Sequence, residues 1–248
     1  MSIYNFEAKR IFVNIPLYAG KMIETSPDQV NYLINVLRLK KDDMILLFNG
    51  IDGEWLARII DSTRKKCVLI LEKQTRPQPI TPELWYAFAP IKSARLDYMI
   101  QKAVEMGVSK LIPVITKRTQ GTKLKLERIE ANVIEAAEQC GILSIAEVEL
   151  EVKLESFLKR YNTLDTLSLI FCDENQPIQN PVPLIKQSLG KTVCVLIGPE
   201  GGFDAQERTA IMSIPSTIAI SLGPRILRAD TAAIAALTAV QCAVGDWN

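Results

Sequence analysis

The sequence predicts an α/β protein whose mostly parallel sheet is covered by helices, preceded by a small, mostly antiparallel β-barrel domain. From Leu84 onward, apolar runs of strand length alternate with helical patterns, which is typical of a parallel sheet with helices on its faces. Before Gln74, short apolar runs follow one another at turn-like spacing, as in a small barrel. Three prolines fall within 74–83. We therefore expect a barrel domain (1–73), a linker (74–83) and a second domain (84–248).

The first domain is expected to hold four strands and one helix. Ser26 caps the helix with Pro27 at its first position, and apolar residues at helical spacing continue to Leu37, with Arg38 at the end. The composition of Asn49–Gly53 predicts a hairpin turn. The predicted strands are 11–13, 44–48, 54–60 and 67–71.

The second domain alternates strands and helices along its whole length. A shorter strand–helix unit is expected near 147–158. Asp204 is a candidate helix cap, reinforced by Glu207 three residues later. The predicted strands are 84–89, 110–116, 167–172, 193–197 and 217–222, and the predicted helices are 94–106, 126–139 and 231–244.

Composition excludes several classes of function. The chain has no histidine, so Ser-His-Asp and Cys-His nucleophiles and imidazole metal sites are impossible, and we expect no metal. The five cysteines are widely spaced and mostly within apolar runs, which suits a reducing compartment. We find neither a secretory signal nor an apolar run of membrane-spanning length, and therefore expect a cytoplasmic protein without membrane attachment.

A net charge of +1 conceals an uneven distribution. Residues 84–128 hold 9 Lys+Arg against 3 Asp+Glu, whereas residues 129–190 hold 4 against 10. A polyanion would therefore meet the first half of the chain. A solvated mixed surface is the simpler interpretation of the same pattern.

Two glycine-bearing turns follow apolar strands near the C-terminus, at 196–202 and 221–231. Ligands of α/β proteins sit at such strand ends, where glycine lets the backbone approach a bound molecule closely. The second turn places Arg225, Arg228 and Asp230 between an apolar strand and an apolar helix. Either Arg228 forms a structural ion pair with Asp230 or Glu200, or the arginines and the helix start form one wall of a site for an anionic or charge-developing ligand.

These turns carry a resemblance to a known family. Leu-Ile-Gly-Pro-Glu-Gly-Gly at 196–202, with Leu-Gly-Pro-Arg-Ile-Leu-Arg-Ala-Asp-Thr-Ala at 222–232, resembles the knotted SPOUT-class RNA methyltransferases. Within that class the chain is similar to the ribosomal RNA small-subunit methyltransferase E family. Weaker matches lie at 10–13, 36–38, 47–50, 92–95, 101–108, 117–119 and 135–140.

The resemblance implies S-adenosylmethionine as cofactor, N3 of a uridine in 16S rRNA of the small ribosomal subunit as target, a homodimer, a PUA-like N-terminal domain and a trefoil knot in the C-terminal domain. It implies that Phe171–Glu174 and the two glycine turns wrap the cofactor. The predicted cofactor-binding residues are Phe171, Cys172, Ile197, Gly198, Pro199, Glu200, Gly201, Gly202, Ser221, Leu222, Gly223, Ile226 and Leu227.

The reaction assigns further roles. N3 must lose a proton and charge develops on the uracil carbonyls, so a base and a cation are needed near the target. Asp230 is the candidate base or base-orienter, Glu200 an alternative orienter, Arg228 the candidate cation and Arg225 the second. The predicted RNA contacts are Arg10, Arg38, Lys92, Arg95, Lys102 and Arg118, although Lys102 could instead pair with Glu105.

The chain departs from the family at three positions. Tyr32 and Ile142 stand where many members have histidine and arginine, and Asp230 stands where glutamate is common. Two other functions remain open: a related knotted methyltransferase acting elsewhere, such as on a ribose 2′-oxygen of tRNA, and an RNA-binding module that has lost catalysis.

Overall fold

The computed structural model describes residues 8–80, 83–120 and 124–247. The chain divides into two compact units. The first holds the residues up to Ile80 together with Ala137–Ile145, and the second holds the remainder.

The first unit is built on a five-stranded sheet in the order β1-β3-β4-β5-β2. The pair β1 and β3 is parallel, and the other three pairs are antiparallel. The strands are β1 (Arg10–Phe12), β2 (Met22–Glu24), β3 (Met44–Phe48), β4 (Glu54–Thr63) and β5 (Lys66–Arg76). Strand β5 therefore extends into the segment predicted as linker, and β2 had no counterpart in the sequence prediction.

The helix of this unit begins where its capping residues predict. Ser26 and Gln29 form a reciprocal capping box ahead of α1 (Pro27–Val30), which continues as a π-helix over Asn31–Val36. Tyr32 packs against the apolar core of the unit, which accounts for an aromatic residue at this position. The turn Asn49–Gly53 joins β3 to β4 as predicted, with Gly50 and Gly53 at positive φ.

Arg10 lies in the interior of the first unit. Its side chain is 3% exposed, and its Nε donates to Glu54 at 3.3 Å. Arg76 binds the same carboxylate at 2.6 Å, and the two arginines hold the pKa of Glu54 below its usual range despite burial. A buried carboxylate requires such compensation. The predicted contact of Arg10 with RNA gains no support from this position, because its side chain is buried and its charge is neutralised by Glu54.

The segment Ala137–Ile145 belongs to the first unit although it lies far from it in sequence. Ala137 and Leu143 are buried against Phe48, and Ile142 packs against the same cluster. An apolar residue at 142 thus has a packing role, and no pattern along the chain indicated this grouping.

The second unit carries a seven-stranded sheet, β12-β10-β11-β6-β7-β8, with β9 also paired to β7. All of its recorded pairings are parallel. The strands are β6 (Leu84–Phe88), β7 (Lys110–Ile115), β8 (Glu147–Val148), β9 (Val152–Lys153), β10 (Leu167–Cys172), β11 (Thr192–Ile197) and β12 (Thr217–Ile220). The helices are α2 (Ser93–Glu105), α3 (Leu126–Cys140), α4 (Leu154–Tyr161), α5 (Val182–Ile185), α6 (Ala205–Met212) and α7 (Ala229–Val244). The last residues of α3, from Ala137 onward, are grouped with the first unit.

The predicted mostly parallel sheet covered by helices is confirmed. The central strands β10 and β11 are buried along almost their whole length, as expected for strands covered on both faces. The trefoil knot stays a prediction, because strand order and register do not record how the chain threads. Within the described residues, no helix is both long and apolar enough to cross a membrane.

Candidate functional site

Three loops meet at one edge of the parallel sheet. Strands β12, β10 and β11 are adjacent and parallel, so the segments that follow them emerge side by side. They enclose an open cavity of about 270 Å³. Of the predicted cofactor-binding residues, the cavity is lined by Phe171, Cys172, Ile197, Gly198, Pro199, Glu200, Gly202, Ser221, Leu222, Gly223, Ile226 and Leu227.

Gly201 is the exception. It lines a smaller neighbouring cavity together with Lys92 and Arg118. A Cβ at Gly201 would meet the Arg118 side chain at an ordinary 3.5 Å. The small size of residue 201 is therefore not demanded by the larger cavity.

We call residues 198–202 the glycine loop. A Cβ at Gly198 would lie 2.6 Å from the ring of Phe203, which packs edge-on against Phe171 at 5.4 Å. Gly202 has φ +68° and donates its N–H to the carbonyl of Pro199. Glycine at 198 is required by close approach, and glycine at 202 is favoured by its backbone conformation.

The helix after the glycine loop begins with the predicted cap. The Asp204 carboxylate accepts from the N–H of Glu207 at 2.7 Å. In turn, the Glu207 carboxylate accepts from the N–H of Asp204. Lys117 approaches Asp204 at 2.7 Å. The N–H of Glu207, with Lys117 second, lowers the pKa of Asp204.

Two charged residues that are absent from the predicted cofactor-binding residues lie on the wall of the cavity: Asp173, which belongs to the predicted segment Phe171–Glu174, and Arg208, which was not predicted. Asp173 has a 3% exposed side chain and binds Nε of Arg208 at 2.8 Å. Asp173 also accepts from the backbone of Asn175 and the side-chain amide of Gln176. These contacts fix the orientation of Arg208. The residues are far apart in sequence, and only the strand order brings them together.

Cys172 lies beside this pair. Burial raises the pKa of its thiol to about 12, so the thiol is protonated at neutral pH. We therefore assign Cys172 a packing role on the cavity wall.

The tip of the second loop is exposed, whereas its first residue, Ser221, is buried. Arg225 and Ile226 line the cavity, yet Ile226 is 93% exposed. Arg228 and Asp230 are not among the described residues that line it. In the described part of the chain, Arg228 has no carboxylate within ion-pair distance, so the predicted pairing with Asp230 or Glu200 does not occur.

Helix α7 begins at Ala229, two residues earlier than predicted. Arg228 occupies its N-cap position, and Asp230 lies in the first turn. The Asp230 carboxylate accepts from the N–H of Thr231. Burial raises the pKa of Tyr86 well above its usual range, with smaller contributions from Cys172 and then Asp230.

The remaining predicted RNA contacts differ in their surroundings. Lys92, Arg118 and Arg38 are exposed, and Arg38 has φ +59°. Lys102 pairs with Glu105 at 2.6 Å, as the alternative interpretation expected. Arg95 forms an ion pair with Glu200 of the glycine loop. Among the described residues there is no cluster of three or more acidic or cysteine side chains placed to hold a metal ion.

Comparison with known families identifies the class to which this fold and cavity belong. The RNA methyltransferase domain family matches residues 77–241, and the RNA methyltransferase PUA domain family matches residues 25–72. The chain is thus an RNA methyltransferase with a PUA domain.

Individual relatives narrow this class. A ribosomal RNA small subunit methyltransferase E from Rickettsia conorii is 36% identical over 94% of each chain. An enzyme of the same name from Buchnera aphidicola (Schizaphis graminum strain) is 31% identical over 96% of this chain and 98% of its own. The chain belongs to the ribosomal RNA small subunit methyltransferase E family, which confirms the resemblance.

Solved structures agree with this assignment. A family member from Neisseria gonorrhoeae, bound to S-adenosyl methionine, is 26% identical with a TM-score of 0.84, over 98% of this chain and all of its own. A methyltransferase from Legionella pneumophila, in complex with the cofactor SAM, is 29% identical with a TM-score of 0.83, over 96% of this chain and 98% of its own.

Proposed function

We propose that this enzyme transfers a methyl group from S-adenosylmethionine to N3 of a uridine in 16S rRNA of the small ribosomal subunit. The observation that carries the proposal is the cavity at the ends of β10, β11 and β12, bordered by both glycine turns. Support comes from relatives named for small-subunit rRNA methylation and from similar structures that hold S-adenosylmethionine.

The lining suits this cofactor. Backbone groups of the glycine loop and of Ser221–Gly223 can approach its adenosine part closely, and the side chains of Phe171 and Leu227 offer apolar walls. The methionine part carries one ammonium and one carboxylate. Glu174 and Arg208, both on the cavity wall, provide one partner of each sign. When bound, the cofactor supplies an electrophilic methyl group with a neutral leaving group.

The target nitrogen imposes the remaining requirements. Uracil N3 carries a proton, and its removal places negative charge on the flanking carbonyls. We assign Asp230 to accept or orient that proton and Arg228 to stabilise the developing charge, with Arg225 as second cation. The exposure of both arginines leaves them accessible to an incoming base. Positioning of the nitrogen in line with the methyl group supplies further acceleration.

A uridine in structured RNA must leave its stack to reach the cavity. We propose that the barrel domain (1–73) and the basic part of the catalytic domain (84–248) hold the surrounding RNA. The contacts of the catalytic domain are Lys92, Arg95 and Arg118, and Arg38 contributes from the first unit. Lys102 is a weaker candidate because Glu105 neutralises it.

Two further features follow from family membership. We propose a homodimer, because α7 is apolar around much of its circumference and Ile226 and Trp247 are exposed on the single chain. We place the reaction in the cytoplasm, where ribosomal RNA is modified.

The test is nucleoside mass spectrometry of rRNA from a strain that lacks this protein. Loss of 3-methyluridine from small-subunit rRNA, restored by the wild-type chain but not by Arg228→Ala, would support both target and chemistry. Unchanged 3-methyluridine would refute the proposed target and direct the search to other RNAs, beginning with ribose methylation in tRNA.

A further inference from the structure

The glycine loop has two faces. Pro199 and Glu200 line the large cavity on one side and the small cavity on the other. The small cavity is completed by Lys92 and Arg118, two exposed basic residues. The same two residues thus border both the proposed cofactor site and a cavity that carries two basic side chains.

Two arginines, Arg95 and Arg118, hold the glycine loop. Arg95 forms an ion pair with Glu200, and Nη1 of Arg118 donates to the carbonyl of Gly201 at 2.7 Å. The Arg118 side chain also lies along Gly201, at 3.5 Å from the position that a Cβ would occupy. Both arginines were predicted from sequence to contact RNA.

The Arg95–Glu200 pair is easily exchanged. The two side chains are 39% and 50% exposed, and an ion pair in such surroundings contributes little net stability. A phosphate of RNA offers arginine a charge-assisted, bidentate alternative. Arg95 can therefore leave Glu200 for a phosphate without a large cost.

We propose that Arg95 and Glu200 couple RNA binding to cofactor binding. In the RNA-free enzyme the ion pair holds the glycine loop in the form that borders the cofactor cavity. An RNA phosphate takes Arg95, Glu200 is released, and the loop loosens. Binding linkage is reciprocal, so the cofactor weakens RNA binding by the same factor as RNA weakens cofactor binding. This inference rests on the proposed function and assigns positioning roles, separate from the chemical step.

The experiment measures the dissociation constant of S-adenosylhomocysteine by calorimetry, with and without saturating protein-free small-subunit rRNA. For the wild-type enzyme we expect RNA to weaken binding by about five-fold. Glu200→Gln removes the charge that holds Arg95. In this variant the ratio of the dissociation constants with and without RNA should be about one, and the affinity for RNA should rise because Arg95 is freed.

Asp97→Asn is the matched control. Asp97 lies on α2, the helix that carries Arg95, and pairs with Arg128 of α3. Neither Asp97 nor Arg128 lines the two cavities. This variant should keep the wild-type ratio. A ratio of one in the wild type, or an unchanged ratio in Glu200→Gln, overturns the coupling. Failure of the wild type to bind rRNA, or to form 3-methyluridine in it, would instead count against the proposed function.

Discussion

The two loops that border the cavity are held in opposite ways. The glycine loop is fixed by the ring of Phe203, by its own turn hydrogen bond and by Arg95 and Arg118. The loop at 221–228 is anchored at buried Ser221, but its tip carries exposed Arg225 and Ile226. We infer that the glycine loop is preorganised for its ligand, whereas the second loop supplies groups that take up their final positions when substrate binds.

The largest effect should come from the exposed loop. Because Arg228 has no ion pair within the described residues, Arg228→Ala should leave the fold intact while reducing kcat by about 100- to 1,000-fold, as for loss of one group that stabilises developing charge. Methyl-transfer kinetics and the melting temperature measure the two properties. Arg228→Lys, which keeps the charge, should retain part of the activity. Near wild-type turnover in Arg228→Ala would remove this residue from the mechanism.

In the preorganised glycine loop, substitution of Gly198 should reduce stability and ligand binding, whereas substitution of Gly201 should not. Gly198→Ala places a Cβ 2.6 Å from the Phe203 ring and should destabilise the fold by roughly 1–3 kcal/mol while weakening S-adenosylhomocysteine binding. Gly201→Ala meets only Arg118 at 3.5 Å and should be close to neutral. Thermal unfolding and calorimetry compare the pair. Equal effects at both positions would contradict the proposed difference between the two faces of the loop.

A third experiment distinguishes binding of the carboxylate end of the cofactor from binding of its adenosine end. Arg208→Ala should weaken S-adenosylhomocysteine binding by about ten-fold, or about 1.4 kcal/mol, because the ligand carboxylate loses its cation. Binding of 5′-methylthioadenosine, which lacks the carboxylate, should be unchanged. Asp173→Asn should weaken S-adenosylhomocysteine binding as well, since Asp173 orients Arg208. An equal loss for both ligands would show that Arg208 supports the cavity only structurally.

The smallest effect concerns the helix after the glycine loop. Asp204→Ala removes the cap of α6 and should lower the melting temperature by a few degrees at neutral pH. Because folding lowers the pKa of Asp204 below 3.8, its charged form stabilises the protein above that pH, and the stabilisation disappears as the pH falls through the folded-state pKa.

Asp204→Asn provides the control, since asparagine also caps helices without a charge. Its difference from wild type should vanish in acid, whereas a difference that persists there would mean that the charge of Asp204 is not responsible.

The sequence predicted the second unit better than the first. The predicted bounds of β10 agree with the structure at both ends, and those of β11 and α3 differ by one residue at one end. Long apolar or amphipathic runs define such elements. Strand β2 was missed because Met22–Glu24 is only three residues long with one buried side chain. Arg10 was predicted as an RNA contact, and its burial was not foreseen, because its carboxylate partner Glu54 is distant in sequence.

For the site, the cavity lining could be predicted because two recognisable turns carry most of it. Asp173 lies in the predicted segment 171–174, but Arg208 was not predicted, since their pairing depends on a strand order that the sequence does not display. The Arg95–Glu200 contact is of the same kind. Spacing along the chain reveals local caps such as Asp204 with Glu207, but not ion pairs between residues that are distant in sequence.

The pairing of β6 with β11 also sets how much of the chain must be synthesised before the catalytic sheet is complete. Leu84 lies opposite Val193, and the cavity wall is finished only by Ala229 and Ala232 of the last helix. During synthesis on the ribosome, β6 can pair early with β7, but its other partner, β11, begins only at Thr192. Contacts so distant in sequence make folding slow, and binding of the methyl donor can therefore serve as a sensitive report of completed folding.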